Sequence, residues 1–209
     1  MVVKVTYFAM TGLGEPIRLM LAVTKTEFED IRLNKEQWRK LKPTLKSPHL
    51  PMLEMDGRTL FQSLSISRYL ARKHGLSGSN EEEDLDIDMT ADTLEDMRRN
   101  VIVHYYQPDS EERNKGLKKS IEETIPFYLK LFEKQLEENN GYLAAGKLTW
   151  ADIWFLSHSD YLSSLMGQDL LVNFPKLKKH QEALRGLPGI KEYLAKRPPH
   201  PQDHRVFFN

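Results

Sequence analysis

The sequence predicts a chain of class α/β plus all-α: a small mixed domain in the order βαβαββα, then an all-helical bundle domain. Three observations predict it. Short β-branched and aromatic runs alternate with helix-period runs up to residue 74. Residues 75–83 then change to Gly, Ser, Asn and acid. Beyond them, apolar residues recur only at helical spacing. The expected division is 1–74 for the first domain, 75–83 for a linker and 84–209 for the helical domain.

In the first domain, Val3–Phe8 (VKVTYF) reads as a strand, since its residues fit a pleated surface. Gly12 and Gly14 break it. Pro16 then stands where a first helical turn accepts proline, and Ile17, Met20 and Leu21 repeat at helical spacing. Phe28–Leu33 is the second strand, Lys35–Leu41 a short helix, and 50–55 the third strand, entered through Leu50-Pro51. Asp56-Gly57 is a two-residue hairpin signal leading to a fourth strand, Arg58–Phe61. Ser63 offers an N-cap to a helix reaching about His74.

In the second half, 84–105 is one long helix. Residues 117–136 are another, with Leu117, Ile121, Ile125, Leu129, Phe132 and Leu136 on one stripe and Pro126 placed to kink or restart it. The best-specified start is Leu148-Thr149-Trp150-Ala151-Asp152-Ile153: Thr149 and Asp152 form a capping box, and Leu148 and Ile153 a hydrophobic staple. The mechanism of that motif is structural. Short helices at about 176–184 and 190–195 follow, and the proline-rich stretch 197–201 cannot continue a helix.

Composition excludes several functions. Lys+Arg 30 against Asp+Glu 30 leaves a formal charge of +0, so the electrostatic footprint of a nucleic-acid or membrane-surface binder is missing. No apolar run reaches the roughly 20 residues of a spanning helix, and the first residues lack a signal-peptide layout, so a cytoplasmic protein is expected. With Cys 0 there can be no disulfide, thiolate metal site or redox dithiol. Thiol chemistry on this chain therefore requires a borrowed thiol.

Tyr7 is the residue best placed to hold one. A phenol at the end of a first strand, followed by a glycine turn and a helix, lies at the carboxyl edge of the sheet, where open α/β sheets bind ligands. Taken alone it reads first as a strand tyrosine with a satisfied hydroxyl, and the residues that follow shift the balance. Leu50-Pro51 is awkward at a strand start, because proline removes a ladder donor; a cis bond would leave the Leu50 amide for an extended peptide, while a trans bond is the commoner form. Gln62-Ser63 at a helix start suits a carboxylate, and as a plain cap needs none. Trp38 and Lys42, four apart, present an indole donor and a cation on one helix face. His200 and His204 lie in the tail without plausible metal-ligand partners.

Several stretches, in order along nearly the whole chain, carry a resemblance: Thr6-Tyr7-Phe8, Gly14-Glu15-Pro16-Ile17-Arg18, Leu50-Pro51-Met52-Leu53-Glu54-Met55-Asp56-Gly57, Gln62-Ser63, Ile66-Ser67-Arg68-Tyr69-Leu70, Asp92-Thr93-Leu94-Glu95-Asp96, Gly146-Lys147-Leu148-Thr149-Trp150-Ala151-Asp152 and Lys196-Arg197-Pro198-Pro199. The ordered set resembles the sigma class of the glutathione transferases, close to the insect members and the prostaglandin D synthase branch. The resemblance implies a thioredoxin-like first domain, a homodimer, glutathione as cosubstrate and no metal requirement. It implies that Tyr7 donates to the glutathione sulfur, that Leu50 pairs with the cysteinyl unit beside a cis Pro51, and that Trp38 and Lys42 take the glycyl carboxylate. Gln62 and Ser63 would hold the γ-glutamyl end together with Asp96 of the partner subunit. It further implies an apolar electrophile pocket lined by Phe8, Leu13, Arg98, Tyr105 and Trp154, suited to lipid-derived or aromatic electrophiles such as hydroxynonenal-type aldehydes.

Two departures stand out against the family. His49 occupies a glycyl-end position where Lys or Gln is usual, and Leu13 stands where the vertebrate prostaglandin D synthases carry arginine. The carboxylates of Asp88, Asp92 and Asp96 share one helix face and repel one another by a few tenths of a kcal/mol per pair, so a partner charge, a glutathione ammonium or a cation near Asp92, Glu95 and Asp96 would offset them, while a solvated acidic face accounts for Asp88 at least as well. A glutathione-dependent prostaglandin isomerase, a crystallin-like protein and a ligand carrier are the alternative functions. The short connection 107–116 and the retention of Tyr7, Gln62, Ser63 and Asp96 favour catalysis over the crystallin.

Overall fold

The computed structural model describes residues 2–201 and 203–207. Contacts divide the chain into two compact units, Met1–His74 with Leu187–Asn209, and Gly75–Gly186.

The first unit is built on a four-stranded sheet of order β2-β1-β3-β4. β1 (Val3–Phe8) runs parallel to β2 (Phe28–Leu33) with Val3 opposite Phe28 and Tyr7 opposite Arg32. On its other side β1 is antiparallel to β3 (Met52–Met55), with Thr6 opposite Met52. β3 and β4 (Arg58–Phe61) form the expected hairpin. Asp56 and Gly57 both take positive φ, 52 and 75, as a turn matched to the twist of the strands requires. β1 is therefore an interior strand, and its residues Val5, Thr6, Tyr7 and Phe8 are buried.

Helices α1 (Glu15–Val23), α2 (Lys35–Leu41) and α3 (Ser63–His74) follow their strands. α2 has a capping box not singled out in the sequence: Asn34 accepts from the Gln37 amide at 2.8 Å, and Gln37 accepts from the Asn34 amide at 2.9 Å. Ser63 is the first residue of α3 rather than its cap; Gln62 precedes it with φ 72, and the Gln62 carbonyl accepts from the Ile66 amide at 2.9 Å.

The last helix, α9 (Pro188–Lys196), groups with this unit, whereas the sequence reading assigns everything from 84 onward to the helical domain. The reason lies at Gly189, where a Cβ would come within 1.9 Å of the Ala22 carbonyl oxygen. Only a residue without a side chain lets α9 approach the end of α1 so closely.

In the second unit, α4 (Glu81–Tyr105) begins three residues before the sequence reading places it. Asn80 caps it, accepting from the Glu83 amide at 2.8 Å, and the acids Glu81, Glu82, Glu83 and Asp84 sit in its first turn, where the helix dipole favours them. The helix expected at 117–136 is two: α5 (Glu111–Lys119) and α6 (Ile125–Glu138), joined by a π-turn at Ser120–Thr124. Pro126 lies in the first turn of α6, so the wider turn relieves its missing donor and its clash with the preceding carbonyls. α7 (Trp150–Met166) is buried along nearly its whole length, the pattern of a helix central to its bundle, and α8 (Pro175–Gly186) completes the unit.

Candidate functional site

Tyr7 is 6% exposed and is gripped by its own loop. Its hydroxyl accepts from the Leu13 amide at 3.3 Å. The backbone of residues 12 and 14 presses against the ring: a Cβ on Gly14 would lie 2.6 Å from Tyr7 Cγ, and one on Gly12 would lie 2.8 Å from the hydroxyl oxygen. Gly12 also has φ 45, a conformation that side chains disfavour. The two glycines that read in the sequence as strand breakers are thus the surface against which the phenol is held.

Rings extend from this point. Phe8 meets Tyr7 edge-on at 5.6 Å, Trp38 edge-on at 6.1 Å and Phe207 at 5.7 Å between centroids. The structure therefore brings together Tyr7, Phe8 and Trp38, and adds Phe207, which sequence reasoning did not single out. The tail is tied to the same loop, His200 Nδ1 standing 3.3 Å from Thr11 Oγ1 and His200 lying 5.8 Å ring to ring from His204. His204 is 1% exposed, and burial, with His200 nearby, pushes its pKa down to about 4.

Beneath Tyr7 lies a buried ion cluster. Arg18, with no exposed surface, donates to the Met10 carbonyl at 2.9 Å, to Asp30 at 2.8 Å and to Glu15 at 3.3 Å. Glu15, equally buried, accepts from Arg197 Nη1 at 2.7 Å and from the Tyr193 hydroxyl at 3.0 Å, while Asp30 also accepts from Arg32 at 2.8 Å. Burial opposes the Arg18 charge, but Glu15 and Asp30 outweigh it and leave its pKa above the ordinary value. Burial, with Glu15 beside it, pushes the Tyr193 phenol up. The sequence signal for this cluster is the pair Glu15 and Arg18, three apart in a helix that is otherwise apolar at its start.

The remaining candidates of the first unit sit at its surface. Trp38 is half-buried; Lys42 and His49 are exposed, and His49 Nδ1 lies 3.2 Å from the Ser47 hydroxyl. The Leu50-Pro51 bond is cis. Gln62 is exposed in a left-handed conformation that glutamine rarely takes, and Ser63 beside it is buried. A strained polar residue held at a helix start is the kind of outlier that marks a binding position. Leu13 is half-buried.

In the second unit, Glu95 grips Arg98 through two bonds of 2.7 and 2.6 Å and Arg99 through one of 2.9 Å. His158 Nε2 stands 3.5 Å from the same carboxylate. Burial raises the Glu95 pKa, yet the bonds to Arg98 and His158 prevail and hold it well below the carboxylate range; burial in turn lowers that of His158. Trp154 has no exposed surface, stacking on His158 at 4.8 Å and meeting Trp150 edge-on at 5.8 Å. Tyr105 is buried under the Arg113 guanidinium, 5.7 Å from its ring centroid. Asp92 and Asp96 are exposed on α4, but Glu95 turns into the bundle, so the acids of this stretch do not converge. Among the described residues no group of three His, Cys, Asp or Glu is arranged to hold a metal, and no helix is long and apolar enough to cross a membrane.

The capping box at α7 is as expected, with Asp152 Oδ2 accepting from the Thr149 amide at 2.8 Å and its hydroxyl at 3.0 Å. The structure adds two partners, the Leu143 amide at 3.0 Å and His180 Nε2 at 2.9 Å, both on Oδ1.

The chain matches the family descriptions "Glutathione S-transferase, N-terminal domain" over residues 3–72 and "Glutathione S-transferase, C-terminal domain" over residues 95–197. It is 41% identical to glutathione S-transferase S1 of Drosophila melanogaster over 192 residues, covering 92% of this chain and 77% of that protein. It is 41% identical to a glutathione S-transferase of Anopheles gambiae over 195 residues, covering 93% and 96%. Among solved structures, prostaglandin synthase D of Nilaparvata lugens superposes with a TM-score of 0.90 at 40% identity, over 95% of this chain and 100% of that one. Two matched domain families in the right order, with near-full-length relatives at this identity, show that the chain belongs to the glutathione S-transferases, enzymes that take glutathione as cosubstrate.

Proposed function

We propose that the chain is a sigma-class glutathione transferase, a cytoplasmic homodimer that joins glutathione to small hydrophobic electrophiles, lipid-peroxidation aldehydes among them. The observation that carries the reading is the caged phenol of Tyr7. Its hydroxyl accepts from the Leu13 amide, and the backbone at Gly12 and Gly14 presses against its ring. With no cysteine in the chain, a thiol held there is the cosubstrate's own.

Glutathione suits the surrounding groups: a cis bond at Leu50-Pro51 beside β3, a strained Gln62 and the Ser63 hydroxyl at the start of α3, and Trp38 packed on Phe8. Gln62 and Ser63 take the γ-glutamyl end together with Asp96 of the second subunit. Trp38, Lys42 and His49 take the glycyl carboxylate. Phe8 and Leu13 meet the electrophile from the first unit, whereas Trp154, with no exposed surface, and Arg98, held by Glu95, are interior side chains of the helical unit.

Tyr7 supplies part of the rate. A thiol of pKa about 8.5 is a few per cent ionised at neutral pH, and a charge-assisted hydrogen bond of about 1.5–3 kcal/mol lowers that pKa by about one to two units. Lower basicity takes back most of the gain in nucleophilicity, leaving a net factor of about three. The rest comes from holding the electrophile against the sulfur. The test is calorimetry with reduced glutathione, beside turnover of a panel of aldehydes and aromatic electrophiles. Uptake of glutathione with conjugation is the expected result; no uptake by folded protein defeats the reading.

A second reading, a glutathione-dependent prostaglandin isomerase, is supported by the name of the Nilaparvata lugens neighbour. A prostaglandin endoperoxide in the same panel separates the two.

A further inference from the structure

We propose that Arg18 is a positioning residue for Tyr7: the buried cluster of Glu15, Arg18 and Asp30 holds the loop that cages the phenol and presents a cation to the face of its ring. The proposal rests on Tyr7 being the partner of the glutathione sulfur. Three observations carry it.

The first is location. The guanidinium carbon of Arg18 lies 5.9 Å from the centroid of the Tyr7 ring, within the range at which a cation is attracted to an aromatic face. Arg18 Nη2 is buried and meets no hydrogen-bond acceptor among the described residues, whereas Nε and Nη1 are committed to Asp30, Glu15 and Met10. One edge of the guanidinium is thus fixed by hydrogen bonds while the remaining nitrogen makes none.

The second is mechanical. The Met10 carbonyl that Arg18 holds begins the loop whose later members, Gly12, Leu13 and Gly14, touch the Tyr7 ring and hydroxyl. Arg18 therefore acts on the phenol from two directions, through the ring face and through the amide that fixes the hydroxyl.

The third is cost. A fully buried guanidinium stabilises a fold poorly compared with an apolar side chain of like size, because its desolvation offsets its ion pairs. Here the chain surrounds it with Glu15 and Arg197 in addition to Asp30 and Arg32, and closes the cluster with the Tyr193 hydroxyl from α9. These are the charged and titratable groups from α1, β2, α9 and the segment after α9 that face Arg18. Such an assembly beside a catalytic phenol is explained by the field it sets: negative charge gathering on the Tyr7 oxygen and the adjacent sulfur is favoured by a cation that no water screens.

The experiment compares Arg18→Lys, Arg18→Met and Arg18→Gln, each in the native and the Tyr7→Phe background. Readouts are circular dichroism, calorimetry with reduced glutathione, the ultraviolet titration of the bound thiolate, and kcat/KM against pH. Loss of the Arg18 charge leaves Glu15 paired with Arg197 and Asp30 with Arg32, Arg18→Gln adds a polar side chain in place of the apolar one, and Arg18→Lys keeps the charge while losing the fork. In the folded variants lacking the charge, the thiolate midpoint is expected to move to higher pH, and kcat/KM at neutral pH to fall by about threefold, no further than in Tyr7→Phe alone. Glutathione affinity should stay within about twofold, Arg18→Lys should retain part of the rate, and the Tyr7→Phe background should show little further loss, since the effect runs through the phenol.

A native thiolate midpoint and rate in any folded charge-lacking variant overturns the proposal. If neither of those folds, an unchanged rate and midpoint in Arg18→Lys overturns it. An equal loss with and without the phenol also overturns it. Full activity in Tyr7→Phe alone would instead remove the reading of Tyr7 on which it rests.

Discussion

The backbone of Gly14 lies so close to the ring of Tyr7 that a single added methyl group would stand 2.6 Å from Cγ. Unlike Gly12, Gly14 does not need a positive φ, so the constraint is steric contact alone. Gly14→Ala should therefore displace the phenol and cut conjugating activity by about a hundredfold or more, in line with the cost of moving a reacting group by about 1 Å. Steady-state kinetics beside thermal melting checks this; native kcat with an unchanged melt would show that the ring has room.

Removing only the oxygen is a gentler change. Tyr7→Phe should keep glutathione affinity near the native value while losing most conjugating activity, at least the roughly threefold that ionisation of the sulfur supplies. The thiolate titration of the complex should move up by about one to two units. Unchanged turnover would take Tyr7 out of the mechanism.

Gln62 is held at φ 72, where a residue with a side chain carries strain of about 1 kcal/mol. Gln62→Gly relieves that strain but frees the unfolded chain, so stability should change by less than about 1 kcal/mol. Glutathione affinity should fall by about tenfold from the lost side-chain contact. Calorimetry and chemical denaturation on one preparation separate the two effects, and undiminished affinity would exclude Gln62 from the site.

Asp152 joins the start of α7 to Leu143 and to His180 on α8 with no exposed surface. Asp152→Ala strands two amides and a histidine, and should cost about 3–5 kcal/mol. Asp152→Asn keeps half the acceptors and should cost less. Urea denaturation followed by tryptophan fluorescence should rank them in that order.

His204 is buried in its neutral form, its pKa held at about 4 against an ordinary 6.5. A group whose folded pKa is depressed contributes its full stability above the unfolded value, and loses it as pH falls toward the folded one. Packing of the tail should therefore weaken from about pH 6.5 downward, by up to about 3 kcal/mol near pH 4. Amide exchange in the tail, compared with the sheet, should rise over that window, and His204→Leu should remove the dependence.

Much of the fold is legible in the sequence because its signals are local. Asp56-Gly57 predicts its own turn, Val3–Phe8 its strand, and the Thr149 to Asp152 spacing its capping box. The start of α4 is less legible: Asn80 and four acids resemble a solvated linker, yet they cap a helix and suit its dipole. At the site, Tyr7 stands out by position and Gln62 by its place before α3. The partners that give them their geometry do not, since Arg18, Asp30, Tyr193 and Arg197 are brought to one point from separate segments.

The sequence by itself determined the order of elements, the dependence on an outside thiol and the family, since each rests on residue types and spacings along the chain. Only the tertiary structure decided that two glycines cage the phenol, that α9 returns to the first unit and that a buried guanidinium lies under Tyr7. Those outcomes depend on distances that no spacing along the chain sets, from Tyr7 to Gly14 seven residues on and from Ala22 to Gly189 in a remote segment alike, fixed by the packing of side chains and by the need of each buried charge for a partner.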